Sequence, residues 1–312
     1  MRKFIVRRAI GSILALLAAA LLIFSASRLL ADPKYLLLPE QGRKGIDEEV
    51  WNRMADELHL NDPVPVQFAY WLWDITHGDL GTDLQDGLPL WPKLKKKFVP
   101  SIKLGVVSWV LATIVGIPLG VLSAVKRGTG WDYIGRTFAL LGQATPAFVV
   151  GILLILLFTV WLGWLPAGTQ GEGLAIRNYI MPTITLSWLP AASYLRLTRS
   201  AMLEVLDSEF VKLARAKGVG SSTVVWKHAF KNAALVPLTA TVLVFAGFIT
   251  GAVVVEAVFA WPGVGSFAVQ SVFTNNINIL VVITVMFTAL FIAANFVADV
   301  LYAFIDPRIR YS

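Results

Sequence analysis

The sequence predicts an all-α membrane protein that crosses the bilayer six times. Of its 312 residues, 56% are hydrophobic and only 15% are charged, whereas soluble domains carry about one quarter charged residues. The mean hydropathy is +0.68. Six stretches reach the roughly 20 apolar residues that a helix needs to span hydrocarbon with its backbone groups paired. They are residues 9–30, 101–125, 134–162, 180–206, 235–259 and 279–305.

The first stretch has two interpretations, a retained helix or a cleaved signal peptide. It follows a basic start formed by Arg2, Lys3, Arg7 and Arg8. No small-residue cleavage site follows a short apolar core, which favours the retained helix. The chain then divides into an N-terminal tail and first helix (1–30), an insert (31–99) and a core of five helices (100–312).

The distribution of Lys and Arg predicts that both termini are cytoplasmic. Basic residues are concentrated at the N-terminus, in the turn with Lys126 and Arg127, in the segment 206–231 and in the tail. Short loops with this bias face the cytoplasm. The insert carries twelve acids and eight bases and is expected outside. Topology therefore accounts for the net charge of +7, and we expect no nucleic-acid partner.

The insert is a candidate extracytoplasmic domain with two predicted helices. The first covers about 47–60, and the second begins near Pro63 or Pro65. In the second helix, apolar side chains recur at helical spacing. These are Phe68, Trp71, Leu72 and Ile75. We interpret them as a packing face, with a docking surface for a partner as the alternative.

Several chemistries are absent from the sequence. There is no cysteine, so thiolate chemistry and disulfides are excluded. No G-x-x-x-x-G-K-[ST] loop is present to bind a nucleotide. His59, His77 and His228 are far apart and are predicted on opposite sides of the membrane. We therefore expect no catalytic residue, cofactor or metal site on this chain.

The polar segment 206–231 is too apolar for a flexible linker. A predicted helix is followed by Gly218, which allows a turn, and then by a second helix. One face of the first helix carries Phe210, Leu213, Ala214 and Lys217. A rigid helix–turn–helix protrusion can transmit a displacement that a flexible loop would absorb.

This segment resembles the coupling helix of the dipeptide and oligopeptide ABC transporter permeases. The resemblance is carried by EFVKLARAKG at 209–218 and HAFKNAALVP at 228–237. Similar stretches follow the family's order along the chain. They are GDLGTD (78–83), TPAFVVGILL (145–154), RLTRSAMLEVLDSEF (196–210), GAVVVEAVFAWPGVG (251–265) and NFVADVLYAFIDPRIR (295–310).

The sequence departs from the wider importer pattern at two places. Where "EAA" precedes the glycine in that pattern, this chain has Lys212, Leu213 and Ala214, so only Ala214 and Gly218 match. This degeneracy is usual for the peptide branch. The stretch FTNNINILVV at 273–282 lacks the expected pairing of an acid with an aromatic residue. The role of that outer rim is therefore open.

The resemblance implies a type I importer permease in a bacterial plasma membrane. This chain would resemble the first of two sister permeases that share a pathway for di- or oligopeptides. Two ATPase subunits would bind ATP and Mg²⁺ below, and an extracytoplasmic substrate-binding protein would deliver the cargo. The coupling residues would be Glu209, Ala214, Arg215, Lys217 and Gly218.

Pathway and gate candidates lie on the last two predicted spans and in the segment between them. Glu256 is an ionisable group at the outer end of an apolar helix, which marks it as functional unless it snorkels to the interface. Thr250 and Gly251 precede it, and helix packing explains such small residues equally well. Pro262 and Gly263 predict a helix break at the outer mouth. Asn295 and Asp299 share a helix face, where hydrogen bonding between helices is the favoured role.

Other functions remain open from the sequence alone. The same machinery could import nickel chelates or oligosaccharides. A secondary transporter is disfavoured because neither an internal repeat nor several midmembrane acids are evident. An intramembrane enzyme is disfavoured because neither paired intramembrane aspartates nor H-E-x-x-H occur.

Overall fold

The computed structural model describes residues 2–30, 48–57, 59–83, 86–168, 175–250 and 252–305. Gly251, the tail beyond 305, residues 31–47 and the side chain of Thr250 lie outside this description. Regular structure in the described part is helical, with one isolated bridge between Thr82 and Pro89. The helices are α1 (Arg2–Leu30), α2 (Glu48–Glu57), α3 (Val64–Thr76), α4 (Leu90–Val125), α5 (Gly130–Ala144), α6 (Ala147–Trp161), α7 (Ile176–Leu206), α8 (Glu209–Ala216), α9 (Ser221–Ala233), α10 (Leu235–Thr250), α11 (Val253–Val258), α12 (Val264–Phe273) and α13 (Ile277–Ile305).

The predicted all-α class is confirmed, while the number of membrane crossings stays a prediction. Among the described residues, the helices α1, α4 and α13 are each long and apolar enough to cross a membrane. Two bent pairs, α5 with α6 and α9 with α10, raise the total to five if each pair counts as one span. Helix α7, which covers the remaining predicted span, has 31 residues and carries Arg196, Arg199 and Glu204.

The third predicted span, 134–162, is not one continuous helix. Helices α5 and α6 meet at an angle of 107°. Thr145 is extended (φ −98°, ψ 119°) and precedes Pro146, whose own ψ is 143°. A proline disfavours the helical region for the residue before it and lacks the N–H that would continue the helix. The second half of α6, Ile155–Trp161, is π-helical.

Two further spans begin or end at different places from those predicted. Helix α4 starts at Leu90, well before the predicted residue 101, so it extends into the segment assigned to the insert. Basic residues such as Lys93 do not interrupt it because lysine is a good helix former. The fifth span, 235–259, is divided between α10 and the short α11.

The chain divides into two compact units. The first comprises the described parts of Met1–Ser101 and Pro262–Phe296. In this unit α2 and α3 confirm the two predicted helices of the insert. Phe68 and Trp71 lie 5.7 and 5.3 Å from Phe24 of α1, measured between ring centroids. These contacts confirm a packing role for both rings. A second apolar cluster joins α4, α12 and α13 through Leu90, Leu94, Val264, Phe267, Ile279 and Ile283.

The second unit comprises Ile102–Trp261 and the described part of Val297–Pro307. Its core is buried around Tyr194, Phe248, Phe259 and Trp261, which come from α7, α10 and the end of α11. Helices α4 and α7 approach closely because α4 presents two glycines, Gly116 and Gly120. A Cβ atom at Gly116 would lie 2.5 Å from the Ala191 carbonyl oxygen, and one at Gly120 would lie 2.6 Å from Thr198 Cβ. Small residues spaced four apart permit such contacts between membrane helices.

Candidate functional site

Helices α8 and α9 form a compact protrusion, residues 209–233, at the ends of α4 and α7. Its inward residues are apolar and join a buried cluster. Val211 of α8 and Val224 and Ala229 of α9 pack with Val121, Met202 and Leu206. Both helices of the protrusion therefore pack against α7 through this cluster. The predicted helix–turn–helix is therefore confirmed.

The turn between α8 and α9 depends on Gly218. Its φ is +77°, in the left-handed region that favours glycine. The Gly218 N–H donates to the Arg215 carbonyl at 2.9 Å, and the Val219 N–H donates to the Ala214 carbonyl at 3.2 Å. This pair of hydrogen bonds is the Schellman arrangement that ends a helix at a left-handed residue. A Cβ at Gly218 would meet nothing within 4 Å, so its constraint is conformational.

The predicted common face of α8 divides into an inner and an outer part. Ala214 is buried, whereas Phe210 and Leu213 are 48% and 56% exposed. Lys217 is also exposed, as are Glu209 and Arg215. Glu209 pairs with Lys212 at 2.8 Å on the solvent side. The protrusion thus presents apolar side chains among cations at its surface, which is unusual for a face that only meets water.

A buried ion pair lies where the turn after α4 meets α7. Asp132 is 1% exposed, and its Oδ1 accepts from Arg199 Nε at 2.8 Å and from Ser123 Oγ at 2.7 Å. Its Oδ2 accepts from Arg199 Nη2 at 3.0 Å and from the Gly128 N–H at 3.0 Å. Four donors therefore satisfy one carboxylate and join α4, α5 and α7. Sequence reasoning missed this site, although Arg199 within a predicted membrane span is the kind of signal that predicts a partner.

The gate candidates lie in different surroundings. The Glu256 side chain is fully buried, which argues against snorkelling to a water interface. The predicted helix break is present, because α11 ends at Val258 and α12 begins at Val264, whose N–H donates to Ser101 Oγ at 2.9 Å. Asn295 and Asp299 are half-buried one turn apart on α13. The structure does not bring these candidates together into one described site.

The stretch GDLGTD has a structural role that the sequence did not reveal. Asp83 is buried and accepts from Asn276 Nδ2 at 2.7 Å and from Lys93 Nζ at 2.5 Å. Lys93 also pairs with Asp86, and this hydrogen bond holds the pKa of the exposed Asp86 carboxyl below its usual range. Asp83 therefore ties the loop before α4 to the turn before α13. That turn belongs to the rim whose role the sequence left open.

Comparison with known proteins places these features in a family. Residues 116–311 match the family described as "Binding-protein-dependent transport system inner membrane component". The chain is 36% identical over 312 residues to the oligopeptide transport system permease protein OppB of Salmonella typhimurium, covering all of both chains. It is equally similar to OppB of Escherichia coli and to the glutathione transport system permease protein GsiC of Salmonella typhi, again over both full lengths.

Solved structures support the fold. One is described as an amino acid ABC transporter with histidines, with a TM-score of 0.52 at 15% identity, and covers 67% of this chain and 92% of its own. Another is the MetNI methionine ABC transporter in inward-facing conformations, with a TM-score of 0.50 at 18% identity, and covers 66% of this chain and 95% of its own. The family match, the full-length relatives and the fold agree. The chain belongs to the binding-protein-dependent transport system inner membrane components and is a permease of the ABC transporter type.

Proposed function

We propose that this permease forms, with a sister permease, the pathway through which a bacterial ABC importer moves di- or oligopeptides across the plasma membrane. The observation that carries the proposal is the identity of 36% over the full length to OppB and GsiC, whose names specify an oligopeptide and glutathione, itself a small peptide. Nickel chelates and oligosaccharides remain alternative cargoes. Family membership leaves no support for the secondary transporter considered from the sequence.

Coupling would occur through the protrusion of α8 and α9. Exposed Phe210 and Leu213, with Glu209, Arg215 and Lys217 around them, offer a mixed apolar and charged surface to an ATPase subunit. Ala214 would act by packing the protrusion onto the bundle, and Gly218 by setting the turn. ATP and Mg²⁺ would bind to two ATPase chains, and this chain would contribute no catalytic residue. Closure of the ATPase pair would move the protrusion and with it α7, which changes access to the pathway.

The protrusion and the turn with Lys126 and Arg127 are basic, which supports a cytoplasmic position for these two segments. The N- and C-termini would lie on the same side. The helices of the insert would then face the substrate-binding protein. This orientation follows from the Lys and Arg bias and agrees with coupling to cytoplasmic ATPases.

Purification of the complex from its native membrane tests both the partners and the orientation. We expect a tagged chain to recover a sister permease, two ATPase chains and a binding protein that carries peptides, identified by mass spectrometry. The chain has no cysteine of its own, so Ala216→Cys on exposed α8 adds a unique crosslinking position. It should crosslink to an ATPase, whereas Ala69→Cys on α3 should not. Recovery of the chain alone under crosslinking, or a crosslink only from Ala69→Cys, would contradict the proposal.

Gating is proposed for Glu256, with Thr250, Gly251, Pro262, Gly263, Asn295 and Asp299 as further candidates along the pathway. A buried carboxylate in a membrane helix is costly, which makes a functional role the default. Glu256→Gln preserves its shape and removes its charge. We expect this variant to change the rate of peptide uptake in proteoliposomes that contain the whole complex. An unchanged uptake rate would remove Glu256 from the gate.

A further inference from the structure

A cleft of about 400 Å³ lies between α5 and α7, beside the Asp132–Arg199 ion pair. Each polar side chain of its lining can donate a hydrogen bond. Helix α5 contributes Arg136 and Gln143, and helix α7 contributes Arg196, Arg199 and Ser200. No acidic side chain lines the cleft, so three guanidinium groups from two helices converge on one space. Such an arrangement is suited to a ligand with several anionic oxygens.

The positive charge of this cleft is not neutralised within the described residues. Asp132 forms hydrogen bonds with Arg199. Both of its carboxylate oxygens already accept hydrogen bonds, from Arg199, Ser123 and the Gly128 N–H. Among the described side chains, no carboxylate pairs with Arg136 or Arg196. The cleft therefore carries two cations that no described carboxylate neutralises.

Apolar side chains also lie beside these cations. Leu140, Leu195 and Leu203 line the same cleft, and Leu140 is 70% exposed. At 1.5 Å per residue, the 31 residues of α7 extend about 46 Å, well beyond the roughly 30 Å of hydrocarbon. The excess of about 16 Å corresponds to about 11 residues, so Arg196 and Arg199 reach the headgroup layer when α7 projects from the bilayer at its C-terminal end, next to the protrusion. Guanidinium groups would meet headgroups while leucines meet acyl chains.

We propose that this cleft binds the phosphodiester headgroup of an acidic phospholipid in the inner leaflet. The position in the inner leaflet rests on the proposed orientation. Arg136 and Arg196 donate to the phosphate oxygens, and Gln143 and Ser200 donate to the polar headgroup. Leu140 and Leu203 contact the acyl chains, a contact that a soluble phosphate could not use. Basic pockets between membrane helices on the cytoplasmic side are suited to anionic lipid headgroups.

Native mass spectrometry of the intact complex with added phosphatidylglycerol or phosphatidylethanolamine tests this site. We expect phosphatidylglycerol to be retained in preference to phosphatidylethanolamine. The variant Arg136→Gln/Arg196→Gln should lower its apparent affinity on the order of tenfold, since each basic residue near a membrane surface contributes measurably to anionic lipid binding. The matched variant Lys126→Gln/Lys231→Gln removes two exposed charges outside the cleft and should retain the lipid. Arg199 remains unchanged in both, so the buried ion pair is preserved.

Three outcomes would overturn the assignment. Equal retention of phosphatidylglycerol by the two double variants would show that the cleft is not the site. Equal retention of the two lipids by the unmodified complex would show that no anionic headgroup is selected. Displacement of phosphatidylglycerol by inorganic phosphate at the same concentration would identify a soluble anion as the ligand. Because lipid retention is measured without transport, failure of this proposal is distinct from failure of the proposed cargo.

Discussion

Replacing Arg199 by methionine should destabilise the folded protein by about 3–5 kcal/mol, the usual cost of removing one partner from a buried ion pair. Methionine keeps much of the length and removes the charge. Asp132, which is 1% exposed, would then hold an uncompensated charge with only the Ser123 hydroxyl and the Gly128 N–H as donors. We expect a lower melting temperature in detergent and a smaller fraction of monodisperse protein.

Two further variants test whether the loss of the ion pair, and not mutation in general, causes the destabilisation. Asp132→Asn/Arg199→Met removes both charges and should recover part of the lost stability, because the buried charge is gone. Arg127→Met breaks a contact with Asp207 that is exposed and 3.7 Å long, and should change stability by about 0–1 kcal/mol. A double variant as unstable as Arg199→Met would contradict the charge argument. A loss for Arg127→Met equal to that for Arg199→Met would point to a nonspecific effect.

Gly218→Val should separate ATP hydrolysis from transport in the reconstituted complex. The left-handed backbone at Gly218 (φ +77°) costs a β-branched residue on the order of 1–3 kcal/mol, so the turn between α8 and α9 would open. The cost is conformational and local to this turn, because a side chain at this position meets no neighbour within 4 Å. We expect peptide uptake to fall on the order of tenfold, since 1.4 kcal/mol corresponds to one decade, while ATP hydrolysis and membrane insertion persist.

Two controls test whether conformation is the cause. Gly220 lies in the same turn with φ −58° and open space around it, so Gly220→Val should retain coupled uptake. Gly218→Asn should be milder than Gly218→Val, because asparagine tolerates the left-handed region. Uptake and hydrolysis are measured in parallel with the complete complex in proteoliposomes. Normal uptake by Gly218→Val, or equal loss in Gly220→Val, would remove Gly218 from the coupling mechanism.

Local sequence patterns predicted much of the fold because helices form from neighbouring residues. The apolar runs indicated α1, α4 and α13, and the sequence from 206 to 231 indicated two helices with a turn at Gly218. The interruption at Pro146 was missed because the run of apolar residues continues on both sides of it. Apolar length alone does not distinguish a straight span from two helices that meet at 107°. A proline preceded by an extended residue supplies that distinction.

The candidate site was predicted only in part. The segment of the protrusion could be identified from its residues, but the direction of each side chain could not. Ala214 is buried, while Phe210 and Leu213 are exposed, and this choice depends on which helices lie beneath α8. The close approach of Gly116 and Gly120 to α7 was also not evident, because many glycines in membrane helices are compatible with loose packing.

The sequence by itself determined that this protein is helical, lies in a membrane, and lacks a phosphate-binding loop and cysteine chemistry. These properties depend on composition and on residues close together in the chain. Tertiary structure alone decided the pairing of Asp132 with Arg199, 67 residues apart, and of Asp83 with Asn276, 193 residues apart. It also brought Arg136 and Arg196 to one cleft. Such contacts depend on which helices become neighbours, and this depends on packing across the whole bundle.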